Sequence, residues 1–185
     1  MKVLIVGGAG YIGSHCVLES LRAGHEVVVL DDLRTGHRES IADVELVEGS
    51  LHQQNVLRSV FETHQFDAVF NLAASCSVPE SVHNPALYYH NNLAATLNLA
   101  TAMIEAGVNK LVHSSTAAVY GDPVVVPIPE DHPMHPVNPY GDSKRLIEMT
   151  LTEMAKSHDL KHICLRYFNA AGADASGLIG EDHRD

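Results

Sequence analysis

Short apolar runs rich in β-branched residues alternate along the chain with longer segments whose apolar positions recur at helical spacing. The runs are "KVLIV" (2–6), "EVVVL" (26–30), "VELVE" (44–48), "DAVFNL" (67–72), "KLVHSS" (110–115) and "HICLRYF" (162–168). The helix-length segments are 11–23, 53–64, 85–106 and 139–158. Runs of consecutive apolar residues are buried on both faces, the mark of parallel strands covered by crossover helices. The alternation predicts an α/β fold with a doubly wound parallel sheet. No repeat or low-complexity tract interrupts it. The longest irregular stretch, 121–138, is rich in proline and leads directly into the last helix.

Composition narrows the function classes. With 185 residues and 45% hydrophobic content the chain holds one domain with a proper core. A formal charge of -11 without a Lys/Arg cluster argues against nucleic-acid and anionic-membrane partners. The opening run "KVLIV" stops at glycines, too short for a signal or a membrane span. Three scattered cysteines, Cys16, Cys76 and Cys164, suggest neither a disulfide framework nor a zinc site, and a reducing cytoplasm is expected. His132 and His135 sit close together in "EDHPMHPVNP", but prolines flank both and no third ligand is near. A solvated loop is expected there rather than a metal site.

"GGAGYIGSH" follows the first strand and opens the first helix. Gly8, Gly10 and Gly13 fit G-x-G-x-x-G, while Gly7, Gly10 and Gly13 fit G-x-x-G-x-x-G, so the spacing alone chooses no family. The order strand, glycine loop, helix is what makes the motif informative. Glycines permit a tight turn and close approach, and the free N–H groups of a helix start receive a pyrophosphate. A Rossmann-like dinucleotide site is therefore expected. Asp31 ends the second strand, where a carboxylate accepts a ribose hydroxyl and repels a 2′-phosphate, so NAD is expected over NADP. Arg34 nearby is the objection.

Ligands of such sheets lie outside the strand C-termini. Those ends are polar here, and Ser114, Ser115, Thr116 and Asn169 are expected to face one crevice together with Tyr140 and Lys144 of "NPYGDSKRLIE". Tyr140 and Lys144 are four apart, on one face of a helix. A bare pair of this kind also fits a solvated helix face. A free tyrosine is a poor base at neutral pH, and a nearby ammonium and the positive nicotinamide ring of NAD⁺ both favour its phenolate. Lys144 is therefore expected to lower the pKa of Tyr140 and to bind the cofactor ribose, with Thr116 holding a reacting alcohol oxygen. That set suits removal of hydride from a secondary alcohol.

The segments "GGAGYIGSH", "LDDL", "NLAA", "YHNN", "SSTAAVYG", "YGDSK" and "LRYFNAAGADASGLIGEDHR" resemble, in order and spacing, the extended short-chain dehydrogenase/reductase family, and within it the UDP-hexose 4-epimerase branch. The resemblance implies NAD-dependent, redox-neutral inversion at C4 of a UDP-hexose through a 4-keto sugar. It implies catalysis by Tyr140, Lys144 and Thr116, with Thr116, Tyr140 and Asn169 on the substrate and Asn169 at its diphosphate. The implied cofactor site takes in Gly7, Gly10, Tyr11, Ile12 and Gly13 of the first loop, Asp31 and Asp32, Ser50 and Leu51, Ala73 and Ala74. It also includes Asn92 behind the pocket, Ser114, Tyr140, Lys144 and Tyr167. Ala117 and Ala118 stand where the related dehydratases carry Asp-Glu, which disfavours water elimination.

Two substitutions leave substrate choice and affinity open. Ser50 replaces the aspartate expected near the adenine, and Cys76 replaces a lysine near the cofactor phosphates, a change also found in relatives that act on N-acetylated sugars; uronate sugars are a further alternative. Members normally continue into a smaller domain that closes over the sugar nucleotide, so most of that domain is expected to be lacking. An NAD-binding module with little turnover is therefore the competing expectation. Apolar positions Leu93, Leu97, Ile147 and Leu151 exceed one sheet-facing stripe, and the family pairs helices 85–106 and 139–158 across a two-fold axis, which implies a homodimer.

Overall fold

The computed structural model describes residues 1–41 and 43–182; His183 and Arg184 of the family-like tail lie outside the described residues. Six parallel strands form one sheet: β1 (Lys2–Val6), β2 (Glu26–Asp31), β3 (Glu45–Glu48), β4 (Ala68–Asn71), β5 (Lys110–Ser114) and β6 (Lys161–Leu165). Their order is β3-β2-β1-β4-β5-β6, so the winding reverses between β1 and β4. A doubly wound sheet leaves its ligand crevice at that reversal, beyond the C-terminal strand ends. Val6 pairs with both Leu30 and Asn71, and Asn71 with His113, which sets these ends side by side.

Alternation within each strand feeds two cores. Val3 and Ile5 of β1 join Val27 and Val29 of β2 beneath α1 (Tyr11–Arg22). Leu4 and Val6 face the opposite way, with Leu57 of α2 (Gln54–Thr63), Leu99 of α5 (Ala95–Glu105) and Ile147 and Leu151 of α6 (Pro139–Ser157). Each such side chain contributes about 1.5–3 kcal/mol by leaving water. Ile147 and Leu151 were expected to be surplus to the sheet, yet both are buried in this core; Leu93 and Leu97 are only partly covered and line a narrow groove with Thr96 and Thr150.

The predicted helix 85–106 is one helical run in three parts: α4 (Pro85–Tyr88), a π-helical segment (Tyr89–Ala94) and α5. The wider π turn carries Asn92, which is 1% exposed. Its side-chain oxygen accepts from Ser75 N at 2.8 Å, and its Nδ2 donates to Ser75 O at 3.0 Å and Ser143 Oγ at 3.1 Å. A π turn of this kind often marks a functional site. A further short helix, α3 (Val78–His83), starts at Ser77, whose hydroxyl accepts from Glu80 N. Pro139 at the first turn and Asn138 accepting from Gly141 N at 2.8 Å start α6.

His132 departs from expectation. It is buried rather than solvated, with Nδ1 2.8 Å from Pro133 O and Nε2 accepting from Val124 N at 3.2 Å, so it pins the proline-rich loop onto itself. His135 is exposed. Among the described residues no helix is long and apolar enough to cross a membrane.

Candidate active site at the switch point

Gly7 turns the chain out of β1 with φ +76°, and its amide donates to Leu30 O at 2.9 Å. A Cβ on Gly7 would stand 2.5 Å from Ala73 N, so the β4 exit, with Ala73 and Ala74, closes one side of the loop. A Cβ on Gly13 would stand 2.0 Å from Gly7 O. The fold itself demands these two glycines. Gly10 differs: its φ of -77° suits any residue, and a Cβ there would meet only Gly7 O at 3.5 Å, an ordinary contact. Bare backbone at Gly10 lies over the start of α1, where Tyr11, Ile12 and Gly13 begin the helix with no side-chain cap and no acidic residue in the first turn. That opening fits a pyrophosphate. The Tyr11 side chain itself turns away, donating to Gly172 O at 2.7 Å.

Asp31 ends β2 buried, its Oδ2 accepting from Ala9 N and its Oδ1 from Leu33 N, each at 2.9 Å. It therefore braces the glycine loop against β2 as well as standing where a ribose would lie; each oxygen keeps one acceptor site. Burial pushes its pKa up, against the pull of the two amides. Asp32 is exposed and accepts from Arg34 N at 3.1 Å. Ser50 acts as a turn residue: its hydroxyl accepts from His52 N at 3.4 Å, and its amide donates to Gln53 Oε1 at 2.8 Å. Leu51 is buried, its carbonyl accepting from Asn98 Nδ2 at 3.1 Å. His52 stacks on His90 beside this rim, at 4.0 Å between ring centroids.

At the other side of the crevice, β5 delivers Ser114 and Thr116, and α6 delivers Tyr140 and Lys144. The Thr116 hydroxyl lies close enough to Tyr140 to favour its phenolate, and it accepts from Ala118 N at 3.2 Å. The Tyr140 ring meets Tyr88 edge-on at 6.4 Å. Lys144 is 1% exposed and donates from Nζ to Ser114 O at 2.7 Å. Ser114 Oγ is hydrogen-bonded to the Tyr167 hydroxyl. Cys76, exposed after β4, stands within electrostatic reach of Tyr140 and Lys144.

The electrostatics correct one expectation. Burial, the largest influence, raises the pKa of Tyr140 instead of its being lowered, and the Thr116 hydroxyl opposes the rise. Lys144 itself is lowered to about 8, because complete burial outweighs Glu148 and the nearby thiols. Low dielectric works on both groups against their charged forms.

One other expectation is corrected. Ser115 does not face the crevice: strand alternation turns its Oγ the other way, where it donates to Glu148 Oε1. Asn169 stands exposed just beyond β6, without a side-chain hydrogen bond among the described residues. Sequence reasoning missed Glu148, Arg166 and Tyr120. Arg166 donates to both Glu148 oxygens, the shortest contact at 2.6 Å, and to the Tyr120 hydroxyl at 2.9 Å. The signal was available, since Glu148 extends the spacing of Tyr140 and Lys144 by another four residues.

A glycine cradle at the β1/β4 reversal and a Thr–Tyr–Lys set at the β5 exit define a dinucleotide-dependent enzyme fold of the short-chain dehydrogenase/reductase kind. The chain belongs to the NAD dependent epimerase/dehydratase family, whose pattern it matches over residues 3–183. It is 48% identical over 183 residues to a UDP-glucose 4-epimerase of Halalkalibacterium halodurans, a match covering 99% of this chain and 55% of that protein. The crystal structure of UDP-glucose 4-epimerase from Brucella ovis in complex with NAD superposes with a TM-score of 0.97 at 41% identity, covering 98% of this chain and 56% of that one. The Bifidobacterium longum UDP-glucose 4-epimerase in complex with NAD+ and UDP gives a TM-score of 0.96 at 36% identity, covering 100% and 58%. The chain thus spans little more than half the length of the relatives it matches.

Two outcomes follow from this geometry. Gly10→Ala is expected to melt like the parent chain yet bind NAD at least about tenfold more weakly, whereas Gly13→Ala loses stability as well; calorimetric titration and thermal melts separate them. Lys144→Met is expected to stabilise the fold at neutral pH by roughly 2 kcal/mol, from about 1.4 kcal/mol per unit of pKa shift less the hydrogen bond to Ser114. A folded-state pKa lowered to about 8 from 10.5 means that the unfolded chain binds the proton more tightly. This contribution to stability therefore rises with pH between those two values in the parent, and denaturant unfolding should show that slope vanish in the variant.

Proposed function

We propose that this chain is the NAD-binding part of an epimerase that inverts C4 of a UDP-hexose, interconverting UDP-glucose and UDP-galactose through a 4-keto sugar. The observation that carries the reading is the convergence of Thr116 and Tyr140 beside the β5 exit, one helical turn from the buried ammonium of Lys144, which donates to Ser114 O at 2.7 Å. NAD, when bound, supplies a hydride acceptor that can return the hydride. Tyr140 Oη takes the 4-hydroxyl proton and later gives it back, and Thr116 orients the reacting oxygen. Positive charge brought in beside the buried phenol lowers its pKa toward the working range. Return of hydride to the other face of the same carbon inverts it with no net oxidation. Gly7, Gly10, Tyr11, Ile12 and Gly13 take the pyrophosphate, Asp31 and Asp32 the adenosine ribose, and Ser50 and Leu51 the adenine rim. Ala73, Ala74 and Asn92 shape the pocket wall, Ser114, Lys144 and Tyr167 flank the nicotinamide end, and Asn169 meets the substrate diphosphate.

A second reading, an NAD-binding module with little turnover of its own, is favoured by the exposure of Asn169 and of Phe168, at 68%. Cys76 at the crevice keeps N-acetylated sugars as alternative substrates, and uronate sugars are a further alternative. We place the protein in the cytoplasm, where its three free thiols fit a reducing milieu. Helices 85–106 and 139–158 form a homodimer over the groove lined by Leu93 and Leu97.

Incubation with NAD and UDP-galactose is expected to yield UDP-glucose with a transient of reduced cofactor, and Tyr140→Phe to lower kcat by about 100-fold or more while NAD still binds. Protein that holds NAD but gives neither product nor transient supports the module reading instead. In sedimentation velocity the parent should run at twice its 20.0 kDa mass, and Leu97→Glu should shift it toward the monomer.

A further inference from the structure

Glu148 is the third member of a stripe on α6. Tyr140, Lys144 and Glu148 lie one turn apart, half-buried at the crevice and then fully buried below it. The Glu148 carboxylate accepts the Ser115 hydroxyl on Oε1, Arg166 Nε on both oxygens at 3.0 and 3.1 Å, and an Arg166 terminal nitrogen on Oε2 at 2.6 Å. Arg166 is fixed in turn by the Tyr120 hydroxyl and Glu130 O, each at 2.9 Å, and lies over the Tyr120 ring at 5.1 Å. Ser115 is the residue between the two that touch the site. Ser114 O takes Lys144 Nζ, and the Thr116 hydroxyl acts on Tyr140. The backbone around Ser115 is tied to the β6 exit as well, Ser115 N to Leu165 O and Ala117 N to Tyr167 O, both at 3.0 Å.

Resting on the epimerase reading for its catalytic meaning, we propose that Glu148 is a positioning residue. Clamped by Arg166, its carboxylate locks the Ser114–Thr116 strand exit to α6, and so fixes where the Lys144 ammonium and the Thr116 hydroxyl stand relative to Tyr140. A buried ion pair adds little net stability compared with apolar packing of the same volume, so a clamp with this many bonds is better explained by the geometry it imposes. The bland alternative is a structural brace with no influence on Lys144.

Charge separates the two. Lys144 faces Glu148 from its own helix, Cys76 from the loop after β4, Cys164 from β6 and His113 from β5. His113 is held neutral by burial, and the Cys164 thiol is pushed up to about 12, so neither offers Lys144 a counter-charge at neutral pH. Glu148 supplies negative charge to it from one turn along α6, as the Cys76 side chain acts on it from the loop after β4, and Arg166 binds both oxygens of the Glu148 carboxylate. Removing the Glu148 charge leaves Arg166 unneutralised beside a buried ammonium; removing the Arg166 charge leaves Glu148 wholly to Lys144. The two changes therefore act on Lys144 with opposite signs.

The test is an NMR titration of the Lys144 side chain in the 185-residue chain, which needs neither substrate nor turnover. Its outcome is thus separate from that of the epimerase assay. Glu148→Gln is expected to move the Lys144 midpoint down by about one pH unit, and Arg166→Gln to move it up, with thermal melts verifying that each variant folds. Ser115→Ala keeps the charges and should leave the midpoint in place while lowering NAD-linked turnover about tenfold, with KM little changed. Midpoints that stay put, or that shift in the same direction, in folded Glu148→Gln and Arg166→Gln would overturn the proposal. Loss of folding in both would assign the pair to stability alone and overturn it equally.

Discussion

Everything at the β5 side of the crevice answers to one expensive fact, the complete burial of the Lys144 ammonium. Taking such a charge out of water costs several kcal/mol unless neighbours compensate. Ser114 O supplies a direct acceptor, and the Glu148 carboxylate supplies opposite charge one turn along α6. Those two demands dictate much of the rest. The carboxylate needs Arg166, Arg166 needs Tyr120 and Glu130 O, and the strand exit must run close enough to α6 for Ser115 to reach it. Thr116 and Tyr140 meet where they do because this framework leaves them little freedom.

The opposite side of the crevice is governed by steric exclusion rather than charge. Gly7 and Gly13 allow the β1 exit, the β4 exit and α1 to approach closer than any side chain permits. Asp31 closes that packing by accepting two backbone amides, which ties the loop to β2. The reversal of strand order between β1 and β4 then sets the steric half and the electrostatic half face to face.

Much of this was legible in the sequence. Consecutive β-branched runs gave the strands, helical spacing gave α1, α2 and α6 to within a residue or two, and the run from Pro85 was read as helical. Tyr140 and Lys144 were legible because a helix imposes a fixed spacing. What escaped depends on contacts between distant positions. Ser115 was assigned to the crevice with its neighbours, but the two-residue period of an extended chain sends it to the other face. His132 read as solvated because proline-flanked loops are usually exposed, whereas here the ring satisfies the loop's own backbone. The π turn that brings Asn92 inward leaves no compositional trace. The lowering of the Tyr140 pKa was expected from nearby positive charge; burial, which the sequence does not reveal, opposes the charged forms of both Tyr140 and Lys144.

Of the loop glycines Gly7, Gly10 and Gly13, two are held by the protein's own backbone and one is not. Gly7 and Gly13 would clash with neighbouring main-chain atoms if they gained a side chain, while Gly10 would meet nothing closer than an ordinary contact. Selection on folding alone therefore watches the outer two and ignores the middle one. In a descendant lineage that had ceased to hold a dinucleotide, Gly10 would be the first of the three to drift, and its replacement would date the loss while the fold around it stayed intact.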